Sequence, residues 1–202
     1  MGMLSLILAF EGIDKAGKAT QARLLSSMLE KEGYKCKTLS FPVYTTPIGR
    51  ELKLSLQGRR SYPIQVRHLL MSANRWEMKG ELESPGVDVL ILDRYIHSNI
   101  AYGVASGLDR RWLESLDRGL PEPNLVILLD ISPTTSLKRK MRGRDVNEQD
   151  LAYLGRVRSV YLDLAREYGW RVIDAERSIK RVHEEIYAVV EGEIRKHRAA
   201  NP

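Results

Sequence analysis

The stretch Phe10-Glu11-Gly12-Ile13-Asp14-Lys15-Ala16-Gly17-Lys18-Ala19-Thr20 decides the fold of this chain. It follows an apolar run, Leu4–Ala9, that is typical of a buried strand, and it precedes Gln21–Glu32, which has the pattern of an amphipathic helix. A strand, a loop with a glycine at each end and a lysine, and a helix start together form the context of a phosphate-binding P-loop. The two glycines let backbone N–H groups turn inward around phosphate oxygens, and the lysine can reach the β- and γ-phosphates.

One residue of this loop departs from the full P-loop pattern, G-x-x-x-x-G-K-[ST]. Ala19 follows the lysine, and the hydroxyl comes one position later, at Thr20. In the full pattern the first hydroxyl is a ligand of Mg²⁺, so we expect the metal shell to differ here. The alternative is a glycine-rich turn that binds nothing, but the order of strand, loop and helix favours phosphate binding.

Composition limits the class of protein without choosing its function. The length of 202 residues allows a substantial core, and we expect residues 1–202 to form one domain. The formal charge of +6 suits polyanionic substrates and is equally compatible with nucleic acid. A single cysteine, Cys36, excludes an intrachain disulfide and favours a reducing compartment. Because no apolar run has membrane-spanning length and no signal-peptide pattern is present, we expect a cytoplasmic protein.

Apolar runs typical of strands alternate with helical patterns along the chain. The predicted strands are Leu4–Ala9, Lys35–Ser40, Val87–Leu92, Leu125–Asp130 and Arg171–Ile173. The predicted helices after the first are Pro47–Leu56, Pro63–Leu82, Ile96–Ala105, Arg111–Leu116, Pro133–Met141, Glu148–Tyr168 and Ser178–Lys196. This alternation predicts an α/β fold with a parallel sheet that helices cover on both faces. Ligands bind beyond the carboxyl ends of such strands, where the P-loop, Phe41-Pro42 and Asp93-Arg94 are expected to meet.

Two pairs of charged residues are candidates for phosphate chemistry. Asp93 and Arg94 directly follow a predicted strand, as does a Walker-B acid that holds Mg²⁺, usually through water. The planar fork of Arg94 suits phosphate oxygens; the alternative is a capping aspartate with a surface salt bridge. Asp14 lies inside the P-loop and can orient an attacking oxygen, take up its proton or hold a substrate hydroxyl. Lys15 beside it can neutralise the transferring group, unless the two form only a solvent-exposed pair.

A helical segment, Ser72-Ala73-Asn74-Arg75-Trp76-Glu77, carries a candidate for base recognition. Arg75 could donate a bidentate contact to a carbonyl and a ring nitrogen of a base; the alternative is a surface arginine packing on Trp76. Further along, basic residues from Lys138 to Arg144 form either a solvated face or a lid that closes over a phosphate site. The four histidines lack metal-ligand spacing, and His97 alone lies close enough to the predicted cleft to stay undecided.

Taken together, these segments resemble the thymidylate kinase family, most closely its eukaryotic-type enzymes. A P-loop alone indicates only a superfamily, whereas the Ser-Ala-Asn-Arg-Trp-Glu helix together with Asp-Arg-Tyr at 93–95 is far more specific. Phe41-Pro42, Ile48-Gly49, the segment from Gly119 to Leu125 and Asp174-Ala175 extend the likeness over nearly the whole chain. The resemblance implies a P-loop fold with a five-stranded parallel sheet. It also implies ATP-dependent phosphorylation of dTMP to dTDP with Mg²⁺, in a homodimer that needs neither nucleic acid nor membrane.

The resemblance also implies roles for individual residues. The implied catalytic residues are Asp14, Lys15, Lys18 and Arg94. The implied ATP-binding residues are Gly12, Ile13, Asp14, Lys15, Ala16, Gly17, Lys18, Ala19, Thr20 and Arg142. The implied dTMP-binding residues are Asp14, Phe41, Pro42, Met71, Arg75, Arg94, Ser98 and Tyr102. Asp93 is implied to hold Mg²⁺ through water, and Arg142 and Arg144 to belong to a short basic lid at about 142–148.

For four of these residues, the resemblance also implies a specific contact with the substrates. Arg94 corresponds to the arginine that bridges the acceptor phosphate and the γ-phosphate, and Arg75 to the residue that bonds the thymine ring. Asp14 corresponds to the acid that contacts the sugar of the monophosphate. Tyr102 takes the position of an aromatic residue that rejects a 2′-hydroxyl.

Several residues depart from the family pattern. Met71 stands where the family usually has a phenylalanine that stacks on thymine, and a thioether covers a ring less rigidly. Tyr44 replaces an arginine that reaches the monophosphate in eukaryotic-type members. Ala19 removes the usual hydroxyl, and the lid has Arg144-Asp145-Val146 in place of Arg-Tyr-Glu. These changes bear on thymine selectivity and on the metal shell.

Two other classes of function remain open from the residues. The first is another P-loop kinase, either a deoxynucleoside kinase or a broader monophosphate kinase, which acceptor choice would distinguish. The second is a non-catalytic nucleotide-binding or nucleic-acid-binding protein, which the net charge permits but no aromatic-studded basic strand supports. The chain has no Asn-Lys-x-Asp motif, which argues against a GTPase.

Overall fold

A parallel sheet of five strands lies at the centre of the computed structural model, which describes residues 5–141 and 148–200. Its strands are β1 (Leu6–Glu11), β2 (Cys36–Ser40), β3 (Val89–Asp93), β4 (Leu125–Asp130) and β5 (Arg171–Asp174). They lie side by side in the order β2-β3-β1-β4-β5, and every neighbouring pair is parallel. The predicted fold class and the five-stranded parallel sheet are therefore confirmed.

The helices of the described residues connect and cover these strands. They are α1 (Lys18–Lys31), α2 (Pro47–Leu56), α3 (Ile64–Trp76), α4 (Lys79–Glu83), α5 (Ile96–Ala105), α6 (Arg110–Leu116), α7 (Pro133–Met141), α8 (Glu148–Tyr168) and α9 (Ile179–Ala200). Thr46 caps the start of α2, because its side chain accepts a hydrogen bond from the backbone N–H of Gly49. Asp109 caps α6 in the same way, by accepting from the backbone N–H of Trp112.

The central strand β1 is buried on both faces, which explains its uninterrupted apolar sequence. Leu6, Leu8 and Phe10 point into one core, with residues of α1, α5, α8 and α9. Ile7 and Ala9 point into a second core on the opposite face, because successive side chains of a strand alternate. Burying one such side chain fully contributes about 1.5–3 kcal/mol, so both layers hold β1 firmly.

The predicted boundaries of β1 differ from the observed ones. The prediction ended this strand at Ala9, but Phe10 pairs with Asp93 of β3 and Glu11 pairs with Leu128 of β4. A charged residue at the end of an apolar run normally indicates a loop. Here the side chain of Glu11 is fully buried, so the strand continues to the P-loop itself.

The predicted helix Pro63–Leu82 is wrong as a single element, because it divides into α3 and α4. The break falls at Glu77, whose carboxylate accepts hydrogen bonds from the backbone N–H of Ile48 at 3.2 Å and from the side-chain amide of Asn74 at 3.1 Å. The backbone N–H of Met78 then turns to the carbonyl of Arg75, three residues back. These bonds tie the end of α3 to the start of α2 and redirect the chain.

The three segments that were expected to converge do lie side by side. The backbone N–H of Arg94, after β3, donates to the carbonyl of Phe10 in β1 at 3.0 Å. The backbone N–H of Phe41, after β2, donates to the carbonyl of Asp93 at 3.0 Å. The P-loop, the Phe41-Pro42 turn and the segment after β3 therefore share the carboxyl edge of the sheet, where ligands bind in folds of this type.

Candidate active site

The P-loop depends on glycines at both of its ends. Gly12 has a φ of +138°, and a Cβ atom there would lie 2.5 Å from the carbonyl oxygen of Leu129, too close for any side chain. Gly17 has a φ of +102° and occupies the position before α1. Only glycine adopts such angles freely, so these residues shape a loop whose N–H groups and helix N-terminus face a common centre.

Lys18 lies almost wholly inside this loop, with 6% of its surface exposed. Its Nζ atom donates hydrogen bonds to the carbonyls of Gly12 at 3.0 Å and of Ile13 at 2.9 Å. Burial, together with the nearby guanidinium of Arg94, lowers the pKa of Lys18 to about 7. The loop thus holds the lysine against its own carbonyls, at the wall of a cavity that the P-loop lines.

Arg94 is held in a strained backbone conformation, with a φ of 67° that non-glycine residues seldom adopt. This backbone conformation directs the guanidinium of Arg94 toward the P-loop. There it donates to the carbonyl of Gly12 at 3.2 Å and to the hydroxyl of Ser98 at 3.2 Å, and it forms an ion pair with the carboxylate of Asp14. The guanidinium also lies over the ring of Tyr102, 5.4 Å from its centroid.

The strained turn at Arg94 is stabilised by hydrogen bonds to Glu11, a role that the sequence did not reveal. The buried carboxylate of Glu11 accepts hydrogen bonds from the backbone N–H of Tyr95 at 2.9 Å, from the hydroxyl of Ser98 at 2.6 Å and from the hydroxyl of Tyr161 at 3.0 Å. Burial raises the pKa of Glu11, and its hydrogen bonds and nearby cations oppose that rise. A charge at the end of a fully apolar strand was the available signal.

Two cavities open on either side of Arg94. The phosphate cavity, of about 560 Å³, is formed by the P-loop from Lys15 to Gln21 with Asp93, Arg94, Arg139 and Arg177. The acceptor cavity, of about 360 Å³, lies on the other side and extends between α3 and α5. Among the described residues, Arg94 is the one that lines both cavities. A group bound in either cavity would therefore face the same guanidinium.

The acceptor cavity brings together every residue that was predicted to bind dTMP. These residues are Asp14, Phe41, Pro42, Met71, Arg75, Arg94, Ser98 and Tyr102. The hydroxyl of Tyr102 donates to the carboxylate of Asp14 at 3.3 Å, so the residues expected near the sugar contact each other. Tyr44 also lines this cavity, where the resemblance placed a departure from the family.

Arg75, whose bidentate contact with a base stays a prediction, is paired with a carboxylate. Its Nε and Nη2 atoms donate to the two carboxylate oxygens of Asp117, at 3.1 and 2.5 Å. Both side chains are 4% exposed, which also excludes a surface arginine packing on Trp76. The pair fixes the direction of Arg75, and both N–H groups of Nη1 and one of Nη2 remain for a ligand.

Comparison with known proteins agrees with this geometry. The profile of the thymidylate kinase family matches residues 10–186, which include the P-loop and the residues of both cavities. The chain belongs to the thymidylate kinase family. Members of this family are phosphotransferases, and the family and class of enzyme expected from the sequence are confirmed.

Three relatives illustrate the extent of the likeness. The thymidylate kinase of Homo sapiens is 35% identical over 195 residues, covering 94% of this chain and 91% of that protein. A probable thymidylate kinase of Thermococcus gammatolerans is 37% identical over 206 residues, covering 95% and 98%. The solved thymidylate kinase of Candida albicans superposes with a TM-score of 0.81 at 29% identity, covering 98% and 95% of the chains. That structure is described as revealing the origin of broad substrate specificity.

The sequence did not mark three residues that line the two cavities of this thymidylate kinase family member. Arg139 of α7 donates to the carbonyls of Lys15 and Ala175, both at 3.1 Å, and so joins the P-loop to the segment after β5. Arg139 belongs to the basic run for which the sequence predicts only a lid or a solvated face. Tyr153 of α8 and Arg67 of α3 line the acceptor cavity, and no motif marked either of them.

Two expectations concern residues elsewhere. His97 is buried away from both cavities, with its ring 4.6 Å from Trp170 in an edge-on contact, and burial lowers its pKa to about 3. It is therefore a neutral packing residue.

The lid expected at about 142–148, with Arg142 and Arg144, lies outside the described residues except for its last position in α8. Within the described ranges, no helix has the length and apolar character to cross a bilayer.

Proposed function

We infer that this chain uses ATP to phosphorylate dTMP to dTDP, the activity that its membership of the thymidylate kinase family supports. The observation that carries this inference is the place of Arg94 at the junction of the two cavities. An acceptor phosphate and a γ-phosphate that face one guanidinium are close enough to react. An oxygen of the dTMP phosphate attacks the γ-phosphorus in line, the bond to the β–γ bridging oxygen breaks, and ADP leaves.

On the donor side, the P-loop binds the triphosphate through its backbone N–H groups and the N-terminus of α1. Lys18 exchanges its bonds to the loop carbonyls for bonds to β- and γ-oxygens and balances the charge that develops there. The exposed side chain of Lys15 lines the same cavity and neutralises the transferring group. Arg142 and Arg144 stay predictions for a lid that covers the phosphates.

On the acceptor side, the sugar and phosphate of dTMP contact Asp14, Ser98 and Tyr102. Tyr102 is held by the carboxylate of Asp14 and by the guanidinium above its ring, so its bulk is fixed beside the sugar. A fixed ring at this position clashes with a 2′-hydroxyl and selects deoxyribonucleotides. The base then lies against Phe41 and Met71, with Nη1 of Arg75 donating to a thymine carbonyl.

Mg²⁺ fits the phosphate cavity as an ion shared with ATP. Asp93 lines this cavity and enters no side-chain hydrogen bond or ion pair with the described residues, so both of its carboxylate oxygens can accept a water or the metal. Ala19 supplies no oxygen, and no cluster of three acidic, histidine or cysteine side chains holds a metal within the described residues. One carboxylate with phosphates and waters is the shell that Mg²⁺ commonly takes. Bound there, Mg²⁺ would neutralise charge on the β- and γ-phosphates.

We further propose that the chain is one kinase domain that acts as a homodimer in the cytoplasm. Large apolar side chains remain exposed along α2 and α3: Leu56 is 49%, Leu69 is 45% and Trp76 is 37% exposed. A second copy would cover these residues. Leu69→Glu should give a monomer in light scattering at equal concentration, whereas Ile179→Glu, at an exposed apolar position of α9, should not. The single cysteine supports a reducing location.

The activity is tested by ADP release with dTMP, thymidine, dUMP, dCMP and AMP as separate acceptors. We expect dTMP to be the preferred substrate among these. Arg94→Lys keeps a charge but loses the fork, and kcat should fall at least tenfold with dTMP. Arg166→Lys is the control, because the Arg166 side chain is 77% exposed on α8. Release of ADP with thymidine but not with dTMP would contradict the proposed acceptor.

A further inference from the structure

A second arginine of α3, Arg67, lines the acceptor cavity in an arrangement that dTMP does not explain. Its Nε atom is buried and has no hydrogen-bond partner, and its side chain enters no ion pair with the described residues. A buried donor without an acceptor is costly, so such a group in a ligand cavity indicates a partner on the ligand.

Arg67, Met71 and Arg75 are each four residues apart and therefore share one face of α3. Consecutive members of this series are separated by about 6 Å along the helix axis. All three line the acceptor cavity, so a base that lies against Met71 has a guanidinium on either side. Two nitrogens of Arg75 donate to Asp117, whereas the guanidinium of Arg67 is available to donate to a ligand.

The turn of α3 that carries Arg67 is fixed in place. His68, the next residue, bonds through Nδ1 to the side-chain oxygen of Asn99 at 2.6 Å, and the amide nitrogen of Asn99 donates to the carbonyl of His68 at 3.2 Å. These two bonds join α3 to α5 across the cavity. Arg67 is consequently presented from a rigid turn rather than from a mobile helix end.

The two parallel N–H donors of the Arg67 guanidinium favour some bases over others. Guanine offers two adjacent acceptors, O6 and N7, and arginine binds them with two parallel hydrogen bonds. Thymine offers one carbonyl beside a methyl group at the corresponding edge, and adenine places an amino donor there. Met71 has a flexible thioether in place of a rigid ring, so the cavity can adjust to a purine that is larger than thymine.

From these observations we propose that dGMP is a second acceptor of this enzyme and that Arg67 recognises O6 and N7 of its guanine. The proposal rests on the proposed phosphoryl transfer to dTMP and uses the same step. An oxygen of the dGMP phosphate bonds to the γ-phosphorus, the bond to the bridging oxygen breaks, and the products are dGDP and ADP.

The test compares kcat/KM for dGMP, dIMP, 7-deaza-dGMP, dAMP and dTMP with the complete chain. Hypoxanthine keeps O6 and N7, so dIMP should be used about as well as dGMP. Loss of N7 in 7-deaza-dGMP and replacement of O6 in dAMP should each lower kcat/KM about tenfold or more, the discrimination expected of one bidentate pair. Equal use of dGMP, dAMP and 7-deaza-dGMP would overturn the proposal, as would no detectable turnover of dGMP.

Variants then assign the effect to the residue. Arg67→Gln should lower the ratio of kcat/KM for dGMP to that for dTMP about tenfold, and Arg67→Lys should lower it as well because an ammonium lacks the fork. Arg166→Gln, on the exposed face of α8, should leave this ratio unchanged. An unchanged ratio in both Arg67 variants would show that Arg67 only packs. If one variant fails to fold, the other and the substrate series still decide the question.

The result also separates this proposal from the proposed function. If dTMP is not phosphorylated at all, the proposed function is wrong. If dTMP is phosphorylated and dGMP is not, only the role of Arg67 is wrong.

Discussion

The phosphate end and the base end of this site are built differently. At the phosphate end, Lys18 bonds two loop carbonyls, and Arg94 bonds the P-loop, Ser98 and Asp14. At the base end, one helix face presents Arg75, which is locked to Asp117, and Arg67, whose Nε has no partner. The first region is held by backbone geometry and a shared network, whereas the second depends on single side chains that can change one at a time.

Because of this difference, phosphoryl transfer and the choice of base depend on separate parts of the site. The phosphate end is formed by the segments that directly follow the neighbouring central strands β1 and β3, so a displaced residue there would disturb the carboxyl edge of the sheet. The base end lies on α3, outside the sheet, where Met71 already departs from the family pattern. Phosphoryl transfer is therefore expected to tolerate little variation, while the choice of base can shift.

The largest expected effect concerns the buried pair at the base end. Asp117→Ala leaves the charge of Arg75 buried without a partner and should lower the free energy of unfolding by about 3–5 kcal/mol. Denaturant titration measures this loss. Asp163→Ala is the matched control, because the Asp163–Arg166 pair is exposed and contributes little. A loss no larger than that of the control would show that the pair is not structurally important.

A double variant sharpens the same comparison. Arg75→Met with Asp117→Leu removes both charges, so it should recover most of the stability that Asp117→Ala loses. The KM for dTMP should remain raised in this protein, because Nη1 of Arg75 is gone. Recovery of both stability and KM would mean that Arg75 has no part in reading the base.

The Arg75–Asp117 pair also shows where sequence reasoning reached its limit. The helix that carries Arg75 follows from local pattern, but the burial of Arg75 does not, because its partner is 42 residues away and nothing in the sequence joins the two. Glu11 is similar, since it bonds residues 84 and 150 positions further along. Contacts of this kind are set by how elements pack, which hydrophobic periodicity does not encode.

The P-loop and the segment after β3 could be predicted because their chemistry is local. Gly12 and Gly17 supply backbone angles that other residues avoid, and Lys18 follows directly. Asp93 and Arg94 stand at the end of an apolar strand, and parallel topology brings that end to the P-loop. The split between α3 and α4 was missed because it arises from the bonds of Glu77 to α2, not from a helix-breaking residue.

The next expected effect concerns the phosphate end. Lys18→Ala removes a contact that strengthens as charge develops on the transferring group, a loss worth about 3–4 kcal/mol or 10²–10³-fold in kcat. Lys180→Ala is the control, since its side chain is 87% exposed on α9. Turnover within threefold of the parent in a folded Lys18→Ala protein would contradict the role of the P-loop.

A smaller effect follows from the pKa of Lys18, which is about 7 before ATP binds. Above that pH the free lysine is mostly neutral, but the bound triphosphate favours the charged form, so binding must take up a proton. Affinity for ATP should therefore weaken between pH 7.5 and 9, by up to about tenfold per pH unit. Phosphate monoesters titrate near pH 6, so ATP itself contributes little in this range.

Calorimetry in two buffers of different ionisation enthalpy measures that proton uptake. Lys18→Met has no titrating group at this position and should show a flatter pH dependence of ATP affinity. Equal slopes in the two proteins would assign the uptake to another group and would mean that Lys18 stays charged throughout.

The smallest expected effect concerns the metal, where the phosphate end itself departs from the family pattern. Ala19 is exposed at the start of α1, beside Thr20 and Asp93 in the phosphate cavity. Ala19→Ser restores a hydroxyl, and we expect the Mg²⁺ concentration for half-maximal activity to fall several-fold while kcat changes little. Ala19→Cys has a similar size but offers a sulfur that Mg²⁺ does not favour, so it should leave the Mg²⁺ requirement unchanged. If the serine and cysteine variants respond alike, the position does not face the metal, and Asp93 with water and the phosphates completes the shell without it.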